Sequence, residues 1–248
     1  MVAFSSLESQ LKIRPLPAID LANIAALPRA DRLPALRAFK AGSPRFSYRL
    51  VRQAAPDIFN AQSDLLGTIP PTDFEKIRRH IQTHATSADE VRANLGVAEC
   101  LHDFATDNGV RAKHHPVAPF QLSGSVGIGV SYWLSLILIL HDRLVIPFLD
   151  PRRSHGLTSD GRRFVFSMIH EKVRVIDPDI ADAELLILRV GAANETPVLR
   201  THFAGDMPLL SYDELDTRVG ETYADWEIVL AEREEERRRA GGGRGSLL

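Results

Sequence analysis

Two dense apolar runs lie almost back to back near the middle of this chain, and they restrict its fold more than any other feature. Trp133–Leu140 (WLSLILIL) and Leu144–Leu149 (LVIPFL) are separated only by His141-Asp142-Arg143. A membrane span needs roughly 20 uninterrupted apolar residues, and the polar triplet breaks the stretch too early. Runs that are apolar on both faces suit strands buried between two layers. The pair therefore predicts a hairpin of buried strands. Thr158-Ser159-Asp160-Gly161 then offers caps for a helix over about 162–172, and the turn Asp177-Pro178-Asp179 precedes a further strand at 184–190. The implied class is α/β, with a mixed central sheet flanked by helices.

The flanks read as helical. Ala18–Leu27 and Ala30–Lys40 form two short helices separated by Pro28, and Gly42-Ser43-Pro44 ends the second. Arg45, Arg49 and Arg52 recur at spacings of four and three, a basic helix face around Phe46–Gln53. Thr72 with Glu75, and Ser87 with Glu90, have capping-box spacing and open helices to about Thr83 and Asp107. Asn108-Gly109 supplies a left-handed stop. Val117–Leu122 and Val126–Val130, around Ser123-Gly124-Ser125, read as strand, tight turn, strand. Ser211 and Glu214 open a long C-terminal helix whose apolar stripe is Leu215, Val219, Tyr223, Trp226 and Leu230. Its polar end pairs Glu234 with Arg238 and Glu235 with Arg239 at i,i+4. The chain thus divides into a helical N-terminal region (1–86), an α/β core (87–205), a C-terminal helix (206–240) and a flexible tail (241–248).

Composition narrows the partners. The formal charge of −2 excludes a global pull on nucleic acid, so such binding would need local basic patches. Cys100 is the single cysteine, which excludes an internal disulfide and fits a reducing, cytoplasmic compartment. Met1-Val-Ala-Phe-Ser-Ser lacks the features of a signal peptide, and no membrane partner is expected. His170-Glu171 begins a zincin-like pattern, but position 174 is arginine, so no histidine pair forms at i,i+4. The glycines from Ser123 to Gly129 lie between strands rather than before a helix, unlike a phosphate loop.

Asp150-Pro151-Arg152-Arg153 stands where the second hairpin strand ends. The order of helix, strands, hairpin, Asp-x-Arg, helix and strand over residues 88–190 resembles the core of the PD-(D/E)XK nuclease superfamily, the restriction-endonuclease-like fold. That resemblance puts Glu99 in the place of the helix acid, Asp150 in that of the third-motif acid, and Arg152 where the family has lysine. Glu99 and Asp150 would then be ligands of a Mg²⁺ ion that polarises a scissile phosphate. The Pro-Asp position reads Tyr132-Trp133, and arginine presents a planar fork rather than lysine's point charge. A degenerate core is implied. Arg78-Arg79, Arg152-Arg153 and Arg162-Arg163 are the basic pairs that would hold a nucleic-acid backbone.

These expectations make the chain a nucleic-acid-associated accessory subunit of a bacterial-type defence or mobile-element complex, its partner DNA or another nucleic acid. The alternative is an active Mg²⁺-dependent endonuclease using Glu99, Asp150 and Arg152. A further alternative is a protein-binding scaffold with no nucleic-acid role, meeting a partner or a second copy through Leu215, Val219, Tyr223, Trp226 and Leu230.

Overall fold

The hairpin forms as its turn chemistry directs. In a computed structural model that describes residues 15–39, 47–62, 70–115, 120–121, 129–130, 132, 134–193 and 196–242, β5 (Leu136–Leu140) and β6 (Arg143–Asp150) pair antiparallel across His141 and Asp142. Both turn residues have positive φ, 49° and 61°, the left-handed conformations that a two-residue hairpin turn requires and that Asp tolerates. After β6 the chain crosses through α6 (Ser159–Ile169) and returns as β7 (Glu184–Ala193), parallel to β6. Thr158 caps α6, its hydroxyl accepting from Gly161 N at 3.0 Å. A π-helical turn, His170–Arg174, extends α6.

The full sheet has six strands in the order β1-β2-β5-β6-β7-β8. β1 (Ala61–Gln62) and β2 (Arg111–His114) run parallel at one edge, and β8 (Thr196–Phe203) lies antiparallel to β7 at the other. Sequence reading identified none of these three. β1 and β2 are short, and β8 is an outer strand of polar residues around Pro197 whose alternation is weak. β3 (Phe120–Gln121) and β4 (Gly129–Val130) form a separate antiparallel pair. The turn expected at Ser123–Ser125, the stop at Gly42–Pro44, Trp133 and the tail beyond 242 lie outside the described residues.

Helices cover both faces of the sheet. On one side, α1 (Ala18–Ala25), α2 (Arg29–Ala38), α6 and α7 (Tyr212–Gly242) pack on Ile146, Phe148, Leu185 and Ile187. On the other, α3 (Arg49–Ile58), α4 (Phe74–His84) and α5 (Ala88–Asp107) pack on Leu138, Val145, Leu186 and Leu188. The even and odd residues of β7 thus feed different cores, as a strand's two-residue period demands. Caps fall close to their expected places. Gly109 takes φ +56° after α5. For α4 the cap is Asp73, which accepts from Glu75 N at 3.0 Å, while Thr72 bonds Asp57 instead.

Two polar ties join the α3 and α5 helices. Asn94, fully buried, accepts from Val51 N at 3.1 Å and donates to Ser47 O at 2.8 Å. The buried Glu90 carboxylate accepts from the amide and hydroxyl of Thr86 at 2.9 and 2.7 Å, and more distantly from Ser47. The Thr86 bonds hold its carboxyl below the usual carboxylate range, although desolvation opposes them.

Helix α7 lays its apolar stripe on the core. Leu215, Val219, Tyr223 and Trp226 are buried and Leu230 is partly so, which corrects the expectation that this stripe meets a partner or a second copy. Trp226 meets the Phe39 ring edge-on at 5.8 Å, and Arg233 stacks over it at 5.1 Å while donating to the carbonyls of Leu36, Arg37 and Phe39. Arg32 reaches from α2 to Glu221 at 2.9 Å and Asp225 at 3.6 Å. Among the described residues, no helix is long and apolar enough to cross a membrane.

Two outcomes follow from this packing. Trp226→Ala, which empties a site only 1% exposed, is expected to lower unfolding free energy by about 3–5 kcal/mol, measured by urea titration. Because the folded Glu90 pKa is depressed, its contribution is complete above the ordinary carboxylate pKa and is lost as pH falls through the folded value. Acid unfolding of Glu90→Gln should therefore show a weaker pH dependence than that of the parent.

Candidate functional site

Asp150 is the last residue of β6 and is completely buried. Leu157 N donates to its Oδ2 at 2.7 Å and Arg152 N to its Oδ1 at 3.3 Å. Arg189 Nε lies 3.9 Å away and Arg189 also donates to Leu157 O. The loop that wraps this carboxylate leaves no spare room at Gly156, where a Cβ would fall 2.6 Å from Asp150 Oδ2. Helix α1 holds the loop from outside: Asn23 donates to Gly156 O and accepts from Thr158 N, both near 3 Å.

Arg152 turns away from the buried carboxylate. It forms two hydrogen bonds with Asp20 of α1, at 2.6 and 2.7 Å. Desolvation lowers its pKa, but the bonds and charge of Asp20 outweigh that and leave it raised. Arg153 passes close to Gly96 of α5, where a Cβ would stand 2.9 Å from its guanidinium. Tyr48 and Arg52, near the start of α3, are within electrostatic reach of Arg152 and Asp150. Desolvation, then Arg152, pushes Arg52 below its usual range, with Asp150 opposing.

The proposed nuclease residues are not assembled into a metal site. Glu99 is half-exposed on α5 and faces Arg78 of α4 at 3.8 Å. Asp150 has both oxygens occupied by backbone amides, and Arg152 is engaged by Asp20. Among the described residues, no group of three or more His, Cys, Asp or Glu side chains could hold a metal ion. The three basic pairs do not all converge. Arg78 and Arg79 sit on α4, on one side of the sheet, whereas Arg162 and Arg163 sit on α6, on the other. Arg163 is tied to Pro208 O at 2.7 Å.

The opposite end of the β6/β7 pair has a different character. Leu144, Val175, Ile176 and Phe203 are 39%, 58%, 66% and 43% exposed. Two open cavities of about 370 and 460 Å³ lie here, one beside Arg174, Leu185 and Phe203, the other beside Leu144, Pro178 and Asp179, with Asp182–Glu184 lining both. Leu144 points to the face covered by α6 and Phe203 to the other, so the exposed apolar side chains ring this end of the strands, and exposed apolar surface of this kind suits a protein contact. Arg174 donates to His170 Nδ1 at 2.9 Å and to Ala183 O at 3.2 Å, bracing the turn that carries Val175 and Ile176.

Comparison with known proteins identifies the family of the chain. The family model described as "Sliding clamp-binding bacterial toxin SocB" matches residues 19–236. The chain belongs to the SocB family. The DNA replication inhibitor toxin SocB of Caulobacter vibrioides is 36% identical over 234 residues, covering 94% of this chain and 97% of that protein. No solved structure matches. Membership in the SocB family corrects the PD-(D/E)XK resemblance and the functions taken from it, both the nucleic-acid-associated accessory subunit and the endonuclease. The resemblance lay in element order, which many α/β folds share.

Several members of the Asp150 cluster were missed: Asp20, Tyr48, Arg189, Arg200 and His202. Arg189 carried a readable signal, a lone charge inside the run Leu185-Leu-Ile-Leu-Arg-Val190. The measured consequence should be structural. Asp150→Ala strands a buried amide and is expected to destabilise by about 1–3 kcal/mol, whereas Glu99→Ala at an exposed site should stay within about 0.5 kcal/mol of the parent. Equal melting curves for the two variants would contradict this assignment.

Proposed function

We propose that this chain inhibits DNA replication by binding the sliding clamp. The observation that carries the reading is the extent of the family match. Residues 19–236 span nearly all of the path from α1 through α7, and with it both cores, so the similarity covers the whole scaffold rather than one motif. A binding inhibitor needs no chemistry of its own; it has only to withhold the clamp from proteins that require it. The Mg²⁺ considered above has no part in such a mechanism.

We assign the contact to the apolar end of the sheet, around Leu144, Val175, Ile176 and Phe203. Apolar anchors with neighbouring hollows are the features that concentrate binding energy in protein interfaces. Glu184, Asp182 and Arg143 border them as a charged rim, and Arg143 pairs with Glu184 at 2.6 Å. The C-terminal stripe cannot serve, because exposing Trp226 would open the core.

The purified chain should co-elute with its own organism's sliding clamp in gel filtration. It should also slow clamp-dependent primer extension, and added clamp should relieve that inhibition. Ile176→Asp combined with Phe203→Asp is expected to weaken binding about tenfold or more, roughly 1.4 kcal/mol, with little change in melting temperature. Failure of the parent to bind the clamp would overturn the function. Full binding by the double variant would overturn only the assigned surface.

A further inference from the structure

At the C-terminal end of the β6/β7 pair, strand register creates an imbalance of charge. Asp150 is the register partner of Arg189, and Arg189 is the register partner of Arg200 on β8. The row Asp150–Arg189–Arg200 therefore lies on one face of the sheet, with neighbouring Cβ atoms about 5 Å apart. His202, paired with Ile187, lies two residues along β8 on the same face. Arg162 approaches from α6, within electrostatic reach of His202.

Like charges directly opposite each other across a ladder are destabilising. Arg189 and Arg200 are such a pair, and the single carboxylate of the row already accepts from Leu157 N and Arg152 N. Among the described residues, the side chains of Arg162 and Arg200 make no hydrogen bond or ion pair. Arg189 Nε and His202 Nε2 are buried without a hydrogen-bonding partner. Polar atoms left so are uncommon in folded proteins and call for a reason. Arg200 is exposed and Arg162, Arg189 and His202 are partly exposed, so the cluster borders solvent.

We propose that Arg162, Arg189, Arg200 and His202 form an oxyanion site that takes a phosphate group, free or as a monoester. Three guanidinium forks of fixed geometry match the oxygens of a tetrahedral anion and supply the negative charge that the row lacks. The anion would separate Arg189 from Arg200. His202 adjoins Phe203 in β8 but points to the opposite face of the sheet, and this site does not depend on the surface assigned to the clamp.

The groups facing His202 are Arg162 on α6, Arg189 on β7, Arg200 on β8 and Asp150 on β6. Desolvation and then the three arginines lower its pKa, and Asp150 opposes them. A bound phosphate partly neutralises the arginines and must shift the His202 titration upward.

The test is a titration of the full chain with sodium phosphate against sodium chloride of matched ionic strength, followed by melting temperature and by the His202 imidazole signal in NMR. Phosphate is expected to raise the melting temperature above the chloride control and to move the His202 midpoint to higher pH. Arg200→Gln, at an exposed position, should raise the half-saturating phosphate concentration about tenfold. Arg239→Gln, which removes one positive charge from the far end of α7, should leave it unchanged. Glycerol phosphate binding more tightly than inorganic phosphate would assign the site to a monoester, and equal binding would assign it to the free ion. Identical behaviour in phosphate and chloride would overturn the proposal. So would equal weakening in Arg200→Gln and Arg239→Gln, which would mean diffuse attraction to the whole surface.

Discussion

The parallel pairing of β6 with β7 is the constraint on which the remainder of this structure depends. Parallel neighbours cannot be joined by a tight turn, so the chain must leave the sheet and return through a crossover, here α6 and its π-helical extension. The crossover covers one face, and α3, α4 and α5 cover the other. With both faces buried, β6 and β7 can carry polar groups only at their ends. Asp150 and Arg189 occupy one end, and Arg143 and Glu184 the other.

Those two ends are chemically unlike. At the C-terminal end, a buried carboxylate organises a loop and is surrounded by more guanidinium groups than it can neutralise. At the N-terminal end, a braced turn presents Val175 and Ile176 to solvent, and Leu144 and Phe203 are exposed on the two faces of the sheet. Two amides and Arg189 contact the buried Asp150 carboxyl group, and an unpaired polar group at that depth would be strongly disfavoured. Arg152, lying next to it in sequence, is held by Asp20, which ties the first helix to the sheet.

Family membership gives these features a different meaning from the one that element order suggested. A sheet crossed by helices with an acid at a strand end is compatible with nuclease chemistry, but also with many scaffolds that bind and do not cut. In this chain the acid is sealed in. The exposed surface with the character of a contact site lies at the other end of the strands. A protein that acts by occupying a partner needs such a surface and a frame behind it; here the two cores would be that frame.

Local pattern was enough to place most helices, their caps and the central hairpin, since hydrogen bonds within four residues and a two-residue turn depend on neighbouring residues alone. Thr158, Ser87 and Ser211 cap the helices they were expected to cap. The buried α7 stripe was visible as a period, but whether it met the core or a partner was not. β8 follows β7 in a local hairpin and was hidden by its Pro197 and its exposed, weakly patterned sequence, whereas strand order and the short strands β1 and β2 were hidden because their pairing is non-local. The polar clusters were hidden for the same reason: Asp20 and Arg152 are 132 residues apart, and Arg189 meets Arg200 only through β-sheet register. Sequence determined which segments are helix and buried strand; tertiary structure alone decided which charges are buried, which are paired and which apolar residues remain in solvent.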